Sequence, residues 1–228
     1  MKPLKELLGG QLPKLVMFDL DGTLVDSVPD LAAAVDDMLR QLGREPAGVD
    51  KVRCWVGNGA LVLVRRALAD SMEHDGIDPQ EADAALELFM EAYANAAGHT
   101  VRYPGVLECL DALQAAGVAL ALITNKPERF IPELLREQQL DGYFDWIIGG
   151  DTLPQKKPDP AALLHVMAQA DATARNSLFV GDSRNDILAA RAAGVPCVAL
   201  TYGYNHGEDI ALEQPELTID NLCELLTR

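Results

Sequence analysis

Two aspartates, Asp19 and Asp21, follow directly after an apolar run at residues 15–18 and precede the chain-breaking pair Gly22-Thr23. A continuously apolar run of this length is typical of a parallel strand that is buried on both faces. Side chains at positions i and i+2 of extended chain point to the same side, so the two carboxylates should lie together at the strand end. Because like charges repel and burial adds a desolvation cost, such a pair needs a bound cation or a raised pKa on one member. We therefore predict a functional site at this strand end.

Further polar groups stand where other apolar runs end. Residues 119–123 lead into Thr124 and Asn125, residues 177–180 lead into Asp182 and Asp186, and Lys157 precedes a helical pattern. The carboxyl ends of parallel strands share one edge of a sheet, so we expect all these side chains to meet the first two aspartates there.

Four carboxylates at one edge suggest a metal site. Oxygen donors in this number suit a hard cation, and Mg²⁺ takes only a few protein oxygens while it keeps other positions for water and phosphate. We predict Mg²⁺ as the cofactor, with Asp19, Asp21, Asp182 and Asp186 as candidate ligands.

The same set of side chains predicts phosphoryl chemistry. With the acids offset by the cation, Thr124, Asn125 and Lys157 would bind the nonbridging oxygens of a phosphoryl group. Asp19 would attack phosphorus and form an aspartyl phosphate. Asp21 would protonate the leaving alkoxide and afterwards activate water.

Each of these segments also has a purely structural interpretation. Thr124-Asn125-Lys126-Pro127 is typical of a helix N-cap, Lys157-Pro158 of a solvated loop, and residues 182–186 of a turn followed by a cap. Capping does not require acids directly after two separate buried strands, nor a lysine between them. The combination therefore favours the catalytic interpretation.

The elements that must position these residues alternate. Strand-like runs at 15–20, 119–124, 146–150, 177–182 and 196–202 are separated in the later half by helical patterns at 105–116, 128–139, 160–170 and 185–193. This alternation predicts an α/β fold, a doubly wound parallel sheet with a Rossmann-like core.

Residues 26–98 do not share the alternation, because helical patterns follow one another at 30–42, 60–69 and 79–97. We predict an inserted α-helical cap subdomain here, with residues 1–25 and 99–228 forming the catalytic core. Inserted directly after the first acidic loop, the cap would lie above the carboxyl ends of the sheet. The alternative is that these helices only pack against one face of the sheet.

Composition narrows the class of protein. The chain has 228 residues, 49% of them hydrophobic, and a formal net charge of −16, which argues against binding to nucleic acid or to an anionic membrane surface. No apolar stretch is long enough for a membrane span. Four widely spaced cysteines (Cys54, Cys109, Cys197 and Cys223) indicate reduced thiols rather than a zinc site or disulfides. We expect a cytoplasmic protein.

Four segments in order resemble the signatures of the haloacid dehalogenase-like hydrolases. They are Asp19-Leu20-Asp21-Gly22-Thr23-Leu24-Val25-Asp26-Ser27, then Ile123-Thr124-Asn125, then Lys157-Pro158, and last Gly181-Asp182-Ser183-Arg184-Asn185-Asp186. The resemblance implies phosphate-ester hydrolysis with Mg²⁺, with Asp19 as nucleophile and Asp21 as acid/base. It also implies Thr124 and Lys157 as phosphate-binding residues and Asp182 as a metal ligand alongside Asp19 and the backbone carbonyl of Asp21. Asp186 would bind the metal through water or orient Lys157.

The resemblance also narrows the reaction. An acid at Asp21 is typical of the phosphatases and phosphomutases of the family, since dehalogenases have no alkoxide to protonate. Residues 55–60 and 201–208 are similar to the bacterial phosphoglycolate phosphatase branch, which implies 2-phosphoglycolate as the small-molecule substrate. We expect Arg53 or Arg65 of the cap to bind the substrate carboxylate, because guanidinium groups make bidentate contacts with carboxylates.

Alternative functions remain at this stage. A phosphatase or phosphomutase of the same family would act on a sugar phosphate or another small phosphate ester. A signalling receiver domain also places acids, a hydroxyl and a lysine around Mg²⁺, although the cap and Asp21 argue against it. The sequence leaves a monomer and a homodimer equally open.

Overall fold

A six-stranded parallel sheet forms the centre of the core in the computed structural model, which describes residues 1–96 and 98–227. The strand order is β5-β4-β1-β6-β7-β8. The strands are β1 (Leu15–Phe18), β4 (Ala119–Ile123), β5 (Trp146–Ile148), β6 (Ser177–Gly181), β7 (Cys197–Leu200) and β8 (Leu217–Ile219). The chain moves outward from β1 to one side and then crosses to the other, so its topology reverses beside β1. This is the predicted doubly wound fold.

The register of the central strands brings the polar strand ends together. Met17 of β1 lies opposite Ala121 of β4 and Phe179 of β6, and all three strands run parallel. The side chains of β1 are completely buried, as expected of a strand with helices on both faces. Asp19, Thr124 and Asp182 each follow directly after one of these strands, so all three start from the same edge.

Helices cover both faces of the sheet. On one face, α1 (Lys2–Leu7), α6 (Val106–Ala115) and α7 (Ile131–Glu137) pack on the alternate side chains of the strands, together with the 3₁₀ segment Leu222–Leu226. On the other face, α8 (Ala161–Gln169) and α9 (Arg184–Ala193) enclose a second cluster of apolar residues. Burial of these two clusters fixes the sheet between the layers.

Four helices lie between β1 and the rest of the core: α2 (Val28–Gln41), α3 (Val49–Trp55), α4 (Ala60–Ala69) and α5 (Pro79–Asn95). They pack around an apolar cluster of their own that includes Met38, Val64 and Phe89. Asp78 caps α5 by accepting hydrogen bonds from the backbone N–H groups of Gln80 and Glu81. A two-stranded antiparallel ladder, β2 (Val25–Asp26) with β3 (Val101–Arg102), joins the two ends of this helical insert to the core.

The predicted helices and strands are present with ends that differ by at most three residues, and two further α-helices and three further strands were not predicted. α1, α3, β8 and the β2–β3 ladder left no clear periodic pattern. The predicted helix at 79–97 ends at Asn95, and Ala97 and Arg228 lie outside the described residues. The predicted limits of the cap, 26–98, and of the core, 1–25 and 99–228, stay a prediction.

The state of the cysteines and the character of the helices bear on two expectations from composition. The four cysteines are free thiols in the described residues. Among those same residues, no helix combines the length and the apolar character that crossing a bilayer requires.

Candidate active site

Asp19 lies at the centre of the carboxyl edge of the sheet, beside a buried lysine. Lys157 Nζ is 2.8 Å from Asp19 Oδ1 and 2.7 Å from Asp186 Oδ1, so one ammonium group stands between two carboxylates. Asp19 is 8% exposed, whereas Lys157 and Asp186 are almost completely enclosed. The small opening at Asp19 leaves its carboxylate accessible from the cavity above it.

Asp182 is held in place by hydrogen bonds to both of its carboxylate oxygens. Its Oδ1 accepts a hydrogen bond of 2.8 Å from Thr23 Oγ1, and its Oδ2 accepts one of 2.7 Å from the backbone N–H of Tyr204. Two glycines make room for this carboxylate, because a Cβ at Gly22 or at Gly203 would overlap the Asp182 side chain. Gly22 also has a φ of +90°, a conformation that side chains rarely adopt.

Asp186 caps a helix and holds a lysine at the same time. Its Oδ2 accepts hydrogen bonds from the backbone N–H of Ser183 at 3.0 Å and from Ser183 Oγ at 2.7 Å, which completes a capping box at the start of α9. Its Oδ1 faces Lys157. Both oxygens of Asp186 are therefore engaged by groups of the chain.

The crowding of these acids changes their protonation equilibria. Burial raises the pKa of Asp19 to about 7, against the opposing effect of Lys157, and the nearby Asp186 and Asp21 add to the rise. Burial likewise raises the pKa of Asp182 well above its usual value, and Asp186 and Asp19 raise it further. Burial alone would lower the pKa of Lys157, but the carboxylates of Asp186 and Asp19 outweigh it and the pKa rises.

A cation is the natural partner for such a cluster. Asp19, Asp182 and Asp186 each present one carboxylate oxygen within 4.8 Å of the others. In addition, Asp19 Oδ1 is buried and accepts no well-oriented hydrogen bond from the described residues. A hard divalent cation matches these oxygen donors and would offset their mutual repulsion.

Asp21 belongs to a second group of polar side chains next to the first. Its Oδ1 accepts a hydrogen bond of 2.5 Å from Ser27 Oγ and one of 3.1 Å from Lys126 Nζ. Lys126 also donates a hydrogen bond of 2.5 Å to the hydroxyl of Tyr93, which belongs to α5 of the insert. Burial alone would lower the pKa of Lys126, but Asp21 and Tyr93 outweigh it and the pKa rises.

Thr124 and Asn125 follow β4 and serve two different purposes. Thr124 is buried, and its Oγ1 accepts a hydrogen bond of 3.2 Å from the backbone N–H of Lys126. Asn125 Nδ2 donates to the carbonyl of Gly57 at 3.0 Å and to the carbonyl of Lys157 at 2.9 Å. Asn185 Nδ2 donates to the same Gly57 carbonyl at 3.2 Å, so two core asparagines hold the glycine turn between α3 and α4 against the core.

A cavity of about 50 Å³ lies between the insert and the core, with Asp19 and Asp21 in its wall. Thr124, Asn125 and Lys126 complete the polar side. The insert contributes the apolar side chains of Leu31, Val56, Ala60, Leu63 and Phe89. Gly57, Gly59 and Tyr93 also line this side. The polar groups that could react with a ligand are therefore concentrated on the core.

Comparison with known proteins agrees with this geometry. The family model described as haloacid dehalogenase-like hydrolase matches residues 16–200. The chain is a haloacid dehalogenase-like hydrolase. It is 68% identical over 216 residues to phosphoglycolate phosphatase 1 from Pseudomonas aeruginosa, covering 95% of this chain and 79% of that protein. It is 65% identical over 226 residues to phosphoglycolate phosphatase from Pseudomonas fluorescens, covering 99% of this chain and 83% of that protein.

A solved structure with a similar fold supports the same family. A crystal structure described as a predicted phosphoglycolate phosphatase from Haemophilus somnus superposes with a TM-score of 0.86 at 38% sequence identity. The match covers 93% of this chain and 96% of that chain. The predicted fold class, a Rossmann-like core with a helical cap, is thus confirmed, and the family assignment favours a hydrolase over a receiver domain.

The structure of this haloacid dehalogenase-like hydrolase brings together most of the residues chosen from the sequence. Asp19, Lys157, Asp182 and Asp186 form one cluster, and Thr124 lines the same cavity as Asp19. The carboxylate of Asp21 is engaged by Ser27 and Lys126 and lies outside the cluster of three acids. Asp21 was also among the candidate metal ligands through its backbone carbonyl, and that assignment stays a prediction.

The two arginines proposed to bind the substrate carboxylate do not line the cavity. Arg53 Nη2 is 3.2 Å from Asp26 Oδ2, and its guanidinium carbon lies 5.3 Å from the centroid of the Tyr204 ring. Arg65 Nη2 donates to the carbonyl of Ile77 at 3.4 Å, within the cap. Arg53 is paired with Asp26, whereas Arg65 Nε is buried and has no hydrogen-bond partner among the described residues. The helical pattern of the sequence does not fix the direction in which each side chain extends.

Sequence reasoning assigned no role to Ser27, Lys126 or Tyr93. Two of them carried a usable signal: Ser27 ends the first signature segment, and Lys126 follows directly after Thr124 and Asn125. Tyr93 carried none, since an aromatic residue in an amphipathic helix is typical of a core position.

Proposed function

We propose that this hydrolase is an Mg²⁺-dependent phosphatase that converts 2-phosphoglycolate to glycolate and phosphate through an aspartyl phosphate. The observation that carries the proposal is the position of Asp19, accessible from a small cavity, with Lys157 against it and Asp21 in the same cavity wall. The names of the similar Pseudomonas proteins support the choice of substrate.

The acidic cluster fits the metal that the family implies. Asp19 and Asp182 would hold Mg²⁺, with the backbone carbonyl of Asp21 as the third protein ligand that the resemblance suggests. When bound, the cation supplies charge neutralisation for the phosphoryl oxygens and for the crowded acids. Asp186 acts differently in this proposal, because its oxygens already hold Lys157 and cap α9.

In the first step, a carboxylate oxygen of Asp19 forms a bond to phosphorus while the bond from phosphorus to the ester oxygen breaks. The leaving oxygen takes a proton from Asp21. Lys157 and Thr124 hold the nonbridging oxygens, which carry the charge of the transferring group. Ser27 and Lys126 fix the position of Asp21 through their contacts with its Oδ1.

In the second step, Asp21 accepts a proton from water as the water oxygen forms a bond to phosphorus. The bond from phosphorus to Asp19 then breaks, which releases phosphate and restores the carboxylate. A phosphomutase differs only here, because a second substrate hydroxyl replaces water as the acceptor.

Substrate entry and product release require the cap to move, since its apolar side covers the nucleophile. The contacts that must break include those between Gly57 and the two core asparagines, Asn125 and Asn185, and the one between Lys126 and Tyr93. The β2–β3 ladder is the connection about which the cap would turn. Closure would exclude water while the ester bond breaks.

A panel of phosphate esters tests the proposal. Phosphate release is measured from 2-phosphoglycolate, glucose 6-phosphate and pyrophosphate, with Mg²⁺ and with a chelator. We expect kcat/KM for phosphoglycolate to exceed the others at least about tenfold, which is ~1.4 kcal/mol of transition-state binding, and activity to be lost in the chelator. Preference for a sugar phosphate would reject the substrate and keep the reaction class, whereas transfer to a second sugar hydroxyl would indicate a mutase.

Location and assembly stay predictions. We expect a cytoplasmic enzyme that acts on a small phosphate ester, as a monomer or a homodimer.

A further inference from the structure

Lys126 is the only cation among the described residues that line the cavity. Its side chain is 2% exposed, and its Nζ contacts Asp21 Oδ1 at 3.1 Å and the Tyr93 hydroxyl at 2.5 Å. It therefore presents a positive charge, largely removed from water, to the space above Asp19. A substrate with a second negative group needs such a charge if that group is to enter a cavity whose other walls are acidic on the core side and mainly apolar on the cap side.

We propose that Lys126, together with the hydroxyl of Tyr93, binds the carboxylate of phosphoglycolate and so selects a two-carbon anionic ester. This inference rests on the proposed function and names the residues that decide its substrate.

The covalent structure of the substrate supports this placement. In phosphoglycolate a single carbon separates the ester oxygen from the carboxyl group, so the two lie close together. Asp21 must contact the ester oxygen to protonate it as it leaves. A cation that touches Asp21 is consequently within reach of the carboxylate of the same substrate molecule, and Lys126 Nζ meets this requirement.

Hydrogen-bonding capacity points the same way. An ammonium group has three N–H donors, and Lys126 Nζ makes three contacts: one with the Tyr93 hydroxyl at 2.5 Å and two, at 3.1 and 3.4 Å, with the two oxygens of Asp21. A substrate carboxylate would replace the longer contact with Asp21. The Tyr93 hydroxyl accepts from Lys126 and still carries its own proton, which it donates to no group among the described residues. A carboxylate takes up donors of both kinds at once.

The apolar residues on the cap side of the cavity would disfavour a sugar phosphate. Val56, Leu63 and Phe89 on the cap side offer no donors or acceptors to the hydroxyl groups of a sugar. Burying those hydroxyls without partners would be unfavourable. Lys126 is part of the core and Tyr93 part of the cap, so a bound carboxylate would touch both and favour the closed form.

The test compares two esters in six proteins. Phosphoglycolate and ethyl phosphate have the same two-carbon length, and only the first has a carboxylate. kcat/KM for both is measured with Mg²⁺ in the unaltered enzyme and in five variants: Lys126→Met, Tyr93→Phe, Arg53→Ala, Arg65→Ala and Lys51→Met. Lys51 is a matched control, an exposed cap lysine that pairs with Asp70.

We expect the unaltered enzyme to prefer phosphoglycolate, and Lys126→Met to reduce that preference at least about thirtyfold, the effect of removing one partner from a desolvated charge pair. Tyr93→Phe should reduce it about fivefold, and Lys51→Met should leave it unchanged. Circular dichroism checks that each variant folds. If Lys126→Met does not fold, the preference of Tyr93→Phe for phosphoglycolate over ethyl phosphate tests the inference instead.

Four results would overturn the inference. Equal losses on both esters in Lys126→Met would show that the lysine only positions Asp21. Loss of the preference in Arg53→Ala or Arg65→Ala, with Lys126→Met retaining it, would assign the carboxylate to the cap arginines. Absence of any preference in the unaltered enzyme would reject the proposed substrate and this inference together, whereas a preference that survives in Lys126→Met rejects the inference alone.

Discussion

Replacing Asp19 by Asn should change how the stability of the metal-free protein depends on pH. Burial raises the pKa of Asp19 to about 7, against 3.8 in the unfolded chain. Between these two values the folded protein binds more protons than the unfolded one, so the free energy of unfolding falls as pH rises. Below pH 3.8 both states hold the proton, and above about pH 7 both have lost it, so the change is confined to this window.

The magnitude follows from the pKa difference. One pKa unit corresponds to ~1.4 kcal/mol, and about two units of the window lie between pH 5 and pH 8. The ionisation of Asp19 should therefore reduce the free energy of unfolding by about 2–3 kcal/mol between those pH values. The Asp19→Asn protein lacks this contribution, so its stability should decline less over the same range. Mg²⁺ favours the ionised carboxylate, so it should stabilise the unaltered protein more at pH 8 than at pH 5.

Urea unfolding at pH 5 and pH 8 in a chelator measures the effect as the difference between the two proteins. The control is Asp75→Asn, which makes the same chemical change at an exposed position and should behave as the unaltered chain does. Parallel profiles in Asp19→Asn and the unaltered protein would show that burial does not raise the pKa of Asp19, and would remove the electrostatic reason for a cation at this cluster.

Three further substitutions have outcomes that the structure predicts. Asp19→Asn should lower phosphate release from phosphoglycolate by at least about a thousandfold, since an amide cannot act as the nucleophile, and an unchanged circular dichroism spectrum would show that the fold is intact. Gly203→Ala should lower the free energy of unfolding by ~1–3 kcal/mol because its Cβ would overlap Asp182, whereas Gly76→Ala, where a Cβ meets nothing within 4 Å, is the control. Burial lowers the pKa of His206, so the unfolded chain binds its proton more readily and stability should fall as pH drops below 6.5. His206→Gln should decline less between pH 7 and pH 5 in urea titrations, and an equal decline in both proteins would contradict this.

The elements of the fold that can be predicted from the sequence are those whose burial requires a recognisable pattern of apolar residues. A strand enclosed by helices must be apolar throughout, and the apolar runs that became β1, β4 and β6 could be recognised for that reason. β8 is an edge strand of three residues in which only Ile219 is buried, so it left no such run. α1 buries Leu4 alone and therefore shows no periodic face.

The predictable part of the site is the part attached to strand ends. Asp19, Thr124 and Asp182 are placed by the register of neighbouring strands, which the pattern of apolar runs already implies. Side chains that start from helices are harder to place, because their direction depends on how each helix is rotated and on which partner is nearby. Arg53 illustrates this, since Asp26 and Tyr204 attract its guanidinium away from the cavity.

The structural and catalytic interpretations of residues 182–186 are not alternatives. One oxygen of Asp186 caps α9, and the other holds the lysine that lies against Asp19. The cap fixes the carboxylate by its contacts with Ser183, so Lys157 is positioned by the start of a helix rather than by a flexible loop. A capping residue can thus place the ammonium group within 2.8 Å of the proposed nucleophile. Local capping signals next to buried strands therefore count in favour of an active site when the capping side chain has a second oxygen directed toward a buried cation.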